Sequence, residues 1–182
     1  FKKGEGTQFI GDNISRFKSG DVVLVGANLP HYWRFDQDYF EASEKSADVY
    51  VIHFHSHFLG ERFLEVPENR ELKKLVLNSA RGLQIQSSEP NRIIDLIIKT
   101  VEATSGTRLL TLLEVLFEIS SPPIELNPIA SLGFKYNYLS EEQDQVQNIY
   151  SYVLNNYQKK ISLHEIADVA KVSPNTFCKF FK

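Results

Sequence analysis

The sequence lacks the residues on which several classes of protein depend. One cysteine in 182 residues excludes an intramolecular disulfide framework and a cysteine-rich zinc module. The apolar runs are short, and none approaches the roughly 18 residues of a membrane-spanning helix. Neither sign of charge dominates, since 20 basic residues face 23 acidic ones, and 42% of the residues are hydrophobic. This composition is typical of a globular protein, and we expect a cytoplasmic one with no membrane contact.

Methionine is absent altogether, including at position 1. The opening residues 1–7, FKKGEGT, resemble the middle of a β-structure more than a natural start. Both features indicate a piece of a longer chain that is cut at both ends.

Short apolar runs alternate with turn signals through the first third of the chain. The turn signals are glycine- and aspartate-containing triplets at residues 11–13 and 19–21, where a positive φ is tolerated. The runs cover residues 7–10, 14–17, 22–25, 31–35 and 48–58, of which the last is the longest. Short strands at this spacing predict an antiparallel sandwich or barrel over residues 1–58.

Helical spacing replaces the alternation between residues 60 and 120. Residues 82–86 alternate once more and fit one further strand. Two apolar helices follow, the first opened by Pro90 and the second separated from it by Ser105 and Gly106. They predict a helical hairpin over residues 91–119, which could cover the sheet, pair with a second subunit, or do both. We expect a homodimer through this hairpin.

Residues 121–140 have the composition of a linker. Pro122, Pro123 and Pro128 block helix formation, and Gly133 adds turn chemistry. The chain is therefore predicted to be an α+β protein with a mixed domain over residues 1–120 and a smaller all-α domain over residues 141–182.

The all-α domain carries the sharpest local pattern. Ser162 and Glu165 have the spacing of a capping box, in which each side chain satisfies a backbone N–H at the start of a helix. Ser173 followed by Pro174 starts a second helix after a tight turn. The small residue Ala167 lets the two helices approach closely, as in a helix-turn-helix. The second helix presents outward a set suited to reading bases and neutralising phosphates: Asn175, Thr176, Cys178, Lys179 and Lys182.

Charge is distributed unevenly along the chain. Residues 159–182 contain five lysines against Glu165 and Asp168, a local charge of +3 within a chain of net charge −3. A basic tip on an acidic body is typical of a protein that touches DNA with one end. The plainer alternative is a helical hairpin that only packs.

Two segments resemble the AraC/XylS family of bacterial transcription regulators. Residues 161–167, ISLHEIA, with 172–182, VSPNTFCKFFK, are similar to the first helix-turn-helix of that family. Residues 20–33, GDVVLVGANLPHYW, and residues 58–82 resemble its cupin-like sensor domain. The resemblance implies an antiparallel, cupin-like β half-barrel with a helical hairpin, followed by a helix-turn-helix. Lys171 and Cys178 depart from the family pattern, and the chain stops within the first of two such units.

The function implied by the resemblance is sequence-specific binding of double-stranded DNA, regulated by a small-molecule effector, without enzymatic activity. It also implies that Asn175, Thr176, Cys178 and Lys179 occupy the DNA-reading positions.

Histidines supply the candidates for the effector pocket and for a metal. His53 and His55 alternate with His57 in the expected strand, so their side chains share one face. Three imidazoles on one face could bind a metal, or they could form a polar face without one, the more frequent case. His31 and Trp33 complete the candidate effector pocket with His53 and His55. A metal-dependent cupin enzyme and a small-molecule-binding cupin protein therefore remain alternatives, although no metal or cofactor is expected.

Overall fold

The protein is described here by a computed structural model. It describes residues 1–41, 45–132, 134, 148–149, 152–153, 156–157 and 159–180, apart from the Phe180 side chain. The chain divides into two compact units, residues 1–136 and 137–182, within the segment expected to be a linker. Apolar residues also recur at helical spacing over residues 146–157, which predicts a further helix, and this segment lies largely outside the described residues.

The first three-stranded sheet of the larger unit has the order β2-β1-β4 and is antiparallel. Its strands are β1 (Gly6–Ile10), β2 (Asn13–Phe17) and β4 (His31–Phe35). Gly11, at φ 59°, supplies the left-handed conformation for the tight β1–β2 turn, as the sequence predicts. The register places Gln8 of β1 between Ser15 and Trp33 of its two neighbours.

The second sheet joins strands that are far apart in the sequence. It has the order β3-β5-β6, with β3 (Val22–Leu24), β5 (Leu83–Gln86) and β6 (Glu125–Pro128), again antiparallel. The strand expected near residues 82–86 is thus confirmed. β6, in contrast, falls in the segment 121–140 that we expected to be a linker throughout. Pro128 is compatible with this position because β6 lies at the edge of the sheet and Pro128 is its last residue.

Six α-helices are found among the described residues. The larger unit contains α1 (Asp38–Glu41), α2 (Arg70–Asn78), α3 (Pro90–Glu102) and α4 (Ser105–Ser120), and the smaller unit contains α5 (Leu163–Val169) and α6 (Pro174–Phe180). Short 3-10 turns cover Phe63–Glu65, Pro67–Asn69 and Ser79–Arg81. α4 ends just before Pro122, as the sequence predicts. None of the helices described is both long and apolar enough to cross a membrane.

The main core lies between the second sheet and the helices α2, α3 and α4. Its buried members are contributed by β5 and by all three helices: Leu72, Leu75, Leu83, Ile85, Ile93, Leu112, Leu116 and Ile119. Leu83 and Ile85 occupy one face of β5, so the alternate residues Gln84 and Gln86 lie on the other face.

The long strand predicted over residues 48–58 is wrong. Only Asp48 pairs there, through an isolated bridge with Lys3. The alternation is nevertheless real, because Ile52, Phe54 and Phe58 pack against the core while the three histidines between them, His53, His55 and His57, are exposed. A period of two therefore marks the buried side of this extended segment without a neighbouring strand to pair with it.

The mixed α+β class is confirmed, but the β-structure is less extensive than a barrel. The described strands form two small antiparallel sheets and no closed barrel. Closure would require hydrogen bonding between strands of the two sheets, and the pairings among the described residues stay within each sheet.

Candidate functional site

α5 begins with the capping box that the sequence predicts. The Ser162 hydroxyl accepts a hydrogen bond from the Glu165 backbone N–H at 3.2 Å, and the Glu165 carboxylate accepts one from the Ser162 N–H at 2.7 Å. Donation from the Ser162 backbone, and then from its side chain, lowers the pKa of Glu165 below its ordinary value. The reciprocal bonds satisfy two backbone donors and fix where the helix starts.

The turn after α5 is a Schellman motif. The Lys171 N–H donates to the Asp168 carbonyl at 2.9 Å, and the Val172 N–H donates to the Ala167 carbonyl at 3.0 Å. Lys171 has φ 54°, the left-handed conformation that this motif requires and that glycine usually supplies. The chain is thereby reversed within the four residues that separate α5 from α6, Ala170 to Ser173.

α6 begins with a second, different cap. The Ser173 hydroxyl accepts a hydrogen bond from the Thr176 N–H at 3.1 Å and lies 2.8 Å from the Thr176 hydroxyl. Pro174 occupies the first helical position, where its missing N–H costs no intrahelical bond. Thr176 is half-buried and held by Ser173, so its hydroxyl stabilises the start of the helix in this arrangement.

Burial separates an inner face from an outer face of the α5–α6 pair. Ala167 is completely buried and Ala170 is 3% exposed, while Phe177 is half-buried. Asn175, Cys178 and Lys179 are exposed on the second helix. The fifth candidate, Lys182, lies outside the described residues.

The smaller unit exposes four lysines among its described residues. Lys159, Lys160, Lys171 and Lys179 are all exposed, and none of the ion pairs found among the described residues includes them. Solvated lysines of this kind are available to neutralise phosphates.

Three of the four candidate effector residues are exposed and the fourth is half-buried. His31 is exposed, its Nδ1 lies 2.7 Å from the Leu29 carbonyl, and its ring meets the half-buried Trp33 edge to face at 5.2 Å. His53 and His55 are exposed, together with His57, on the outer side of the unpaired segment. No group of three or more His, Cys, Asp or Glu residues placed to hold a metal occurs among the described residues.

A cleft of about 650 Å³ opens instead between the two sheets of the larger unit. Most of its lining side chains are polar, and they come from β1, β2, β5, β6 and the adjoining loops: Glu5, Gln8, Asn13, Ser15, Arg16, Lys18, Asp21, Gln84, Gln86 and Asn127. None of the four effector candidates lines it, although Trp33 donates from its Nε1 to Gln8 Oε1 at 3.1 Å. Sequence reasoning missed this cleft. The one local signal was the alternation that places Gln84 and Gln86 opposite the core face.

No protein-family model, curated protein or solved structure matches this chain. The function therefore has to be inferred from the local geometry and from the sequence resemblance.

Proposed function

We propose that the protein is a sequence-specific DNA-binding transcription regulator of the AraC type, acting without catalysis, and that α6 is its recognition helix. The observation that carries the proposal is the exposed face of α6, with Asn175, Cys178 and Lys179 directed to solvent beyond a four-residue turn. Ala167 and Ala170 are buried on the opposite side, as two closely crossing helices require.

The residue types on this face suit a major groove. A carboxamide such as that of Asn175 pairs bidentately with the N6 and N7 atoms of adenine. The ammonium group of Lys179 suits guanine acceptors or a phosphate oxygen, and Lys171 and Lys160 are further candidates for phosphate contacts. Thr176 contributes mainly by holding the helix start through Ser173.

The larger unit is proposed to be the cupin-like sensor and dimerisation domain of a cytoplasmic homodimer. Its hairpin of α3 and α4 exposes large apolar side chains, whose contact with water is unfavourable in a monomer: Val101, Leu109, Leu110 and Phe117. Interhelical ion pairs between Lys99 and Glu114 and between Arg92 and Glu118 hold the hairpin together at its surface. The apolar side chains support pairing with a second copy through residues 91–119.

Selection of duplexes from a random pool tests the proposal. The protein is incubated with random-sequence duplexes, the bound fraction is amplified over several rounds, and the selected sequences are compared. We expect enrichment of one site by the unaltered protein and its loss with Asn175→Ala. Lys74→Ala, on α2 of the larger unit, is the matched control and should enrich the same site. Failure of the unaltered protein to enrich any sequence would contradict the proposal.

A further inference from the structure

A stretch of extended backbone on the larger unit presents two histidines to solvent. Ile52 and Phe54 pack against the main core, so the alternate residues His53 and His55 are exposed on the other side. The ring of Phe54 also meets that of Phe58 edge to face at 5.7 Å. Because apolar neighbours are anchored on both sides of His53, the backbone beneath the two imidazoles is fixed, and little ordering is needed for them to act together.

The spacing of the two histidines suits a single metal ion. Successive residues on one face of an extended chain lie about 6.6 Å apart, at about 3.3 Å per residue. Zinc binds imidazole nitrogen at about 2.0–2.1 Å, which places two ligand nitrogens of a tetrahedral ion about 3.4 Å apart. The side chains of His53 and His55 are long enough to converge from the first distance to the second. Both are exposed and make no hydrogen bond or ion pair with any described residue, so no such bond is lost when a metal binds.

His57 differs from this pair, although it is exposed as well. The Phe58 N–H donates to the His55 carbonyl at 3.1 Å, so the chain turns after His55 and the extended spacing ends there. The Nδ1 of His57 lies 3.0 Å from the Ser56 hydroxyl. All three histidines lie within the described part of the chain, and they are not placed to hold one ion together. The extended stretch therefore supplies two ligands, and His57 is a nearby comparison.

We propose that His53 and His55 chelate one divalent transition-metal ion of the class that prefers imidazole, represented by Zn²⁺. Imidazole suits Zn²⁺, Cu²⁺ and Ni²⁺, whereas Mg²⁺ and Ca²⁺ take oxygen ligands. Two protein ligands leave the other coordination positions to water, unlike a closed structural site. Neither histidine lines the cleft between the two sheets or belongs to α6, so the site is separate from the proposed DNA contact. The proposal reverses our expectation from the sequence that no metal is bound.

Zinc titration in competition with a chromogenic chelator tests the proposal. The unaltered protein is compared with His53→Ala, His55→Ala and the matched control His57→Ala, each checked for an unchanged circular dichroism spectrum. We expect one zinc site in the unaltered protein and an affinity at least about tenfold lower in His53→Ala and in His55→Ala, because a single imidazole cannot chelate. His57→Ala should bind as the unaltered protein does, and excess Mg²⁺ should not displace the zinc.

Four results would overturn the proposal. The unaltered protein takes up no zinc in competition with the chelator, or His53→Ala and His55→Ala keep full affinity, which would place an adventitious ion elsewhere. The third is a His57→Ala variant weakened as much as the other two, and the fourth is displacement of zinc by Mg²⁺. The titration contains no DNA, so a protein that enriches a DNA site but binds no zinc would retain the proposed function and lose this site.

Discussion

At the scale of single residues, Lys171 adopts a strained left-handed backbone conformation that the turn after α5 requires. Its φ of 54° costs a residue with a Cβ about 1 kcal/mol relative to glycine. Lys171→Gly should therefore stabilise the turn by about 1 kcal/mol relative to Lys171→Ala, which removes the same charge but keeps the Cβ. Hydrogen exchange of the Val172 amide, which closes the turn, measures the difference. Equal protection in the two variants would show that the strain is absent.

Glu165 makes the α5 cap sensitive to acid. Its pKa in the folded protein is lowered, first by the backbone N–H of Ser162 and then by that residue's hydroxyl. The cap's contribution is thus fully present above the ordinary glutamate pKa of about 4.3 and is lost as the pH falls through the lowered folded value. We expect the Ser162 amide to lose protection over that acid range. Glu165→Gln should abolish this pH dependence, and an unchanged profile in that variant would rule out Glu165 as its source.

At the scale of secondary-structure elements, the close approach of α5 and α6 depends on Ala167. This side chain is completely buried, so the larger Ala167→Leu side chain must displace the partner helix at a cost of about 1–3 kcal/mol. Urea denaturation followed by NMR signals of α5 and α6 measures the loss. His164→Leu places the same leucine side chain at an exposed position of the same helix and should cost little. Comparable destabilisation by the two variants would contradict the buried crossing.

The sequence predicts structure that depends on neighbouring residues better than it predicts pairing between distant segments. The Ser162–Glu165 cap, the Ser173-Pro174 start and the end of α4 before Pro122 were predictable because each depends on residues within one turn. The prediction of a strand over residues 48–58 was wrong because alternation indicates which side chains are buried but does not show whether a partner strand lies beside them. β6 was missed because its partner β5 lies some forty residues earlier in the sequence. The cleft was missed for the same reason, since Gln8 and Gln84 line one cleft only after both sheets have formed.

At the scale of the whole molecule, the exposed apolar face of α4 predicts self-association. Leu110 is 68% exposed and lies on the same stripe as Phe117, seven residues later. Leu110→Glu places a charge in the proposed interface and should shift the dimer towards monomer in sedimentation equilibrium. Leu132→Glu alters a residue that is 90% exposed outside the hairpin and should leave the association unchanged. A monomeric unaltered protein, or two variants that behave alike, would contradict dimerisation through α3 and α4.

DNA affinity as a function of salt tests the central claim most directly. The duplex enriched by the unaltered protein is titrated by fluorescence anisotropy at several salt concentrations, for the unaltered protein, Lys179→Ala and the control Lys74→Ala. We expect the affinity to fall steeply with salt and the logarithmic slope to decrease by about 1 for Lys179→Ala alone, because one phosphate contact is lost. Affinity that does not depend on salt, or a Lys179→Ala slope equal to that of the unaltered protein, would contradict α6 as the helix that contacts DNA.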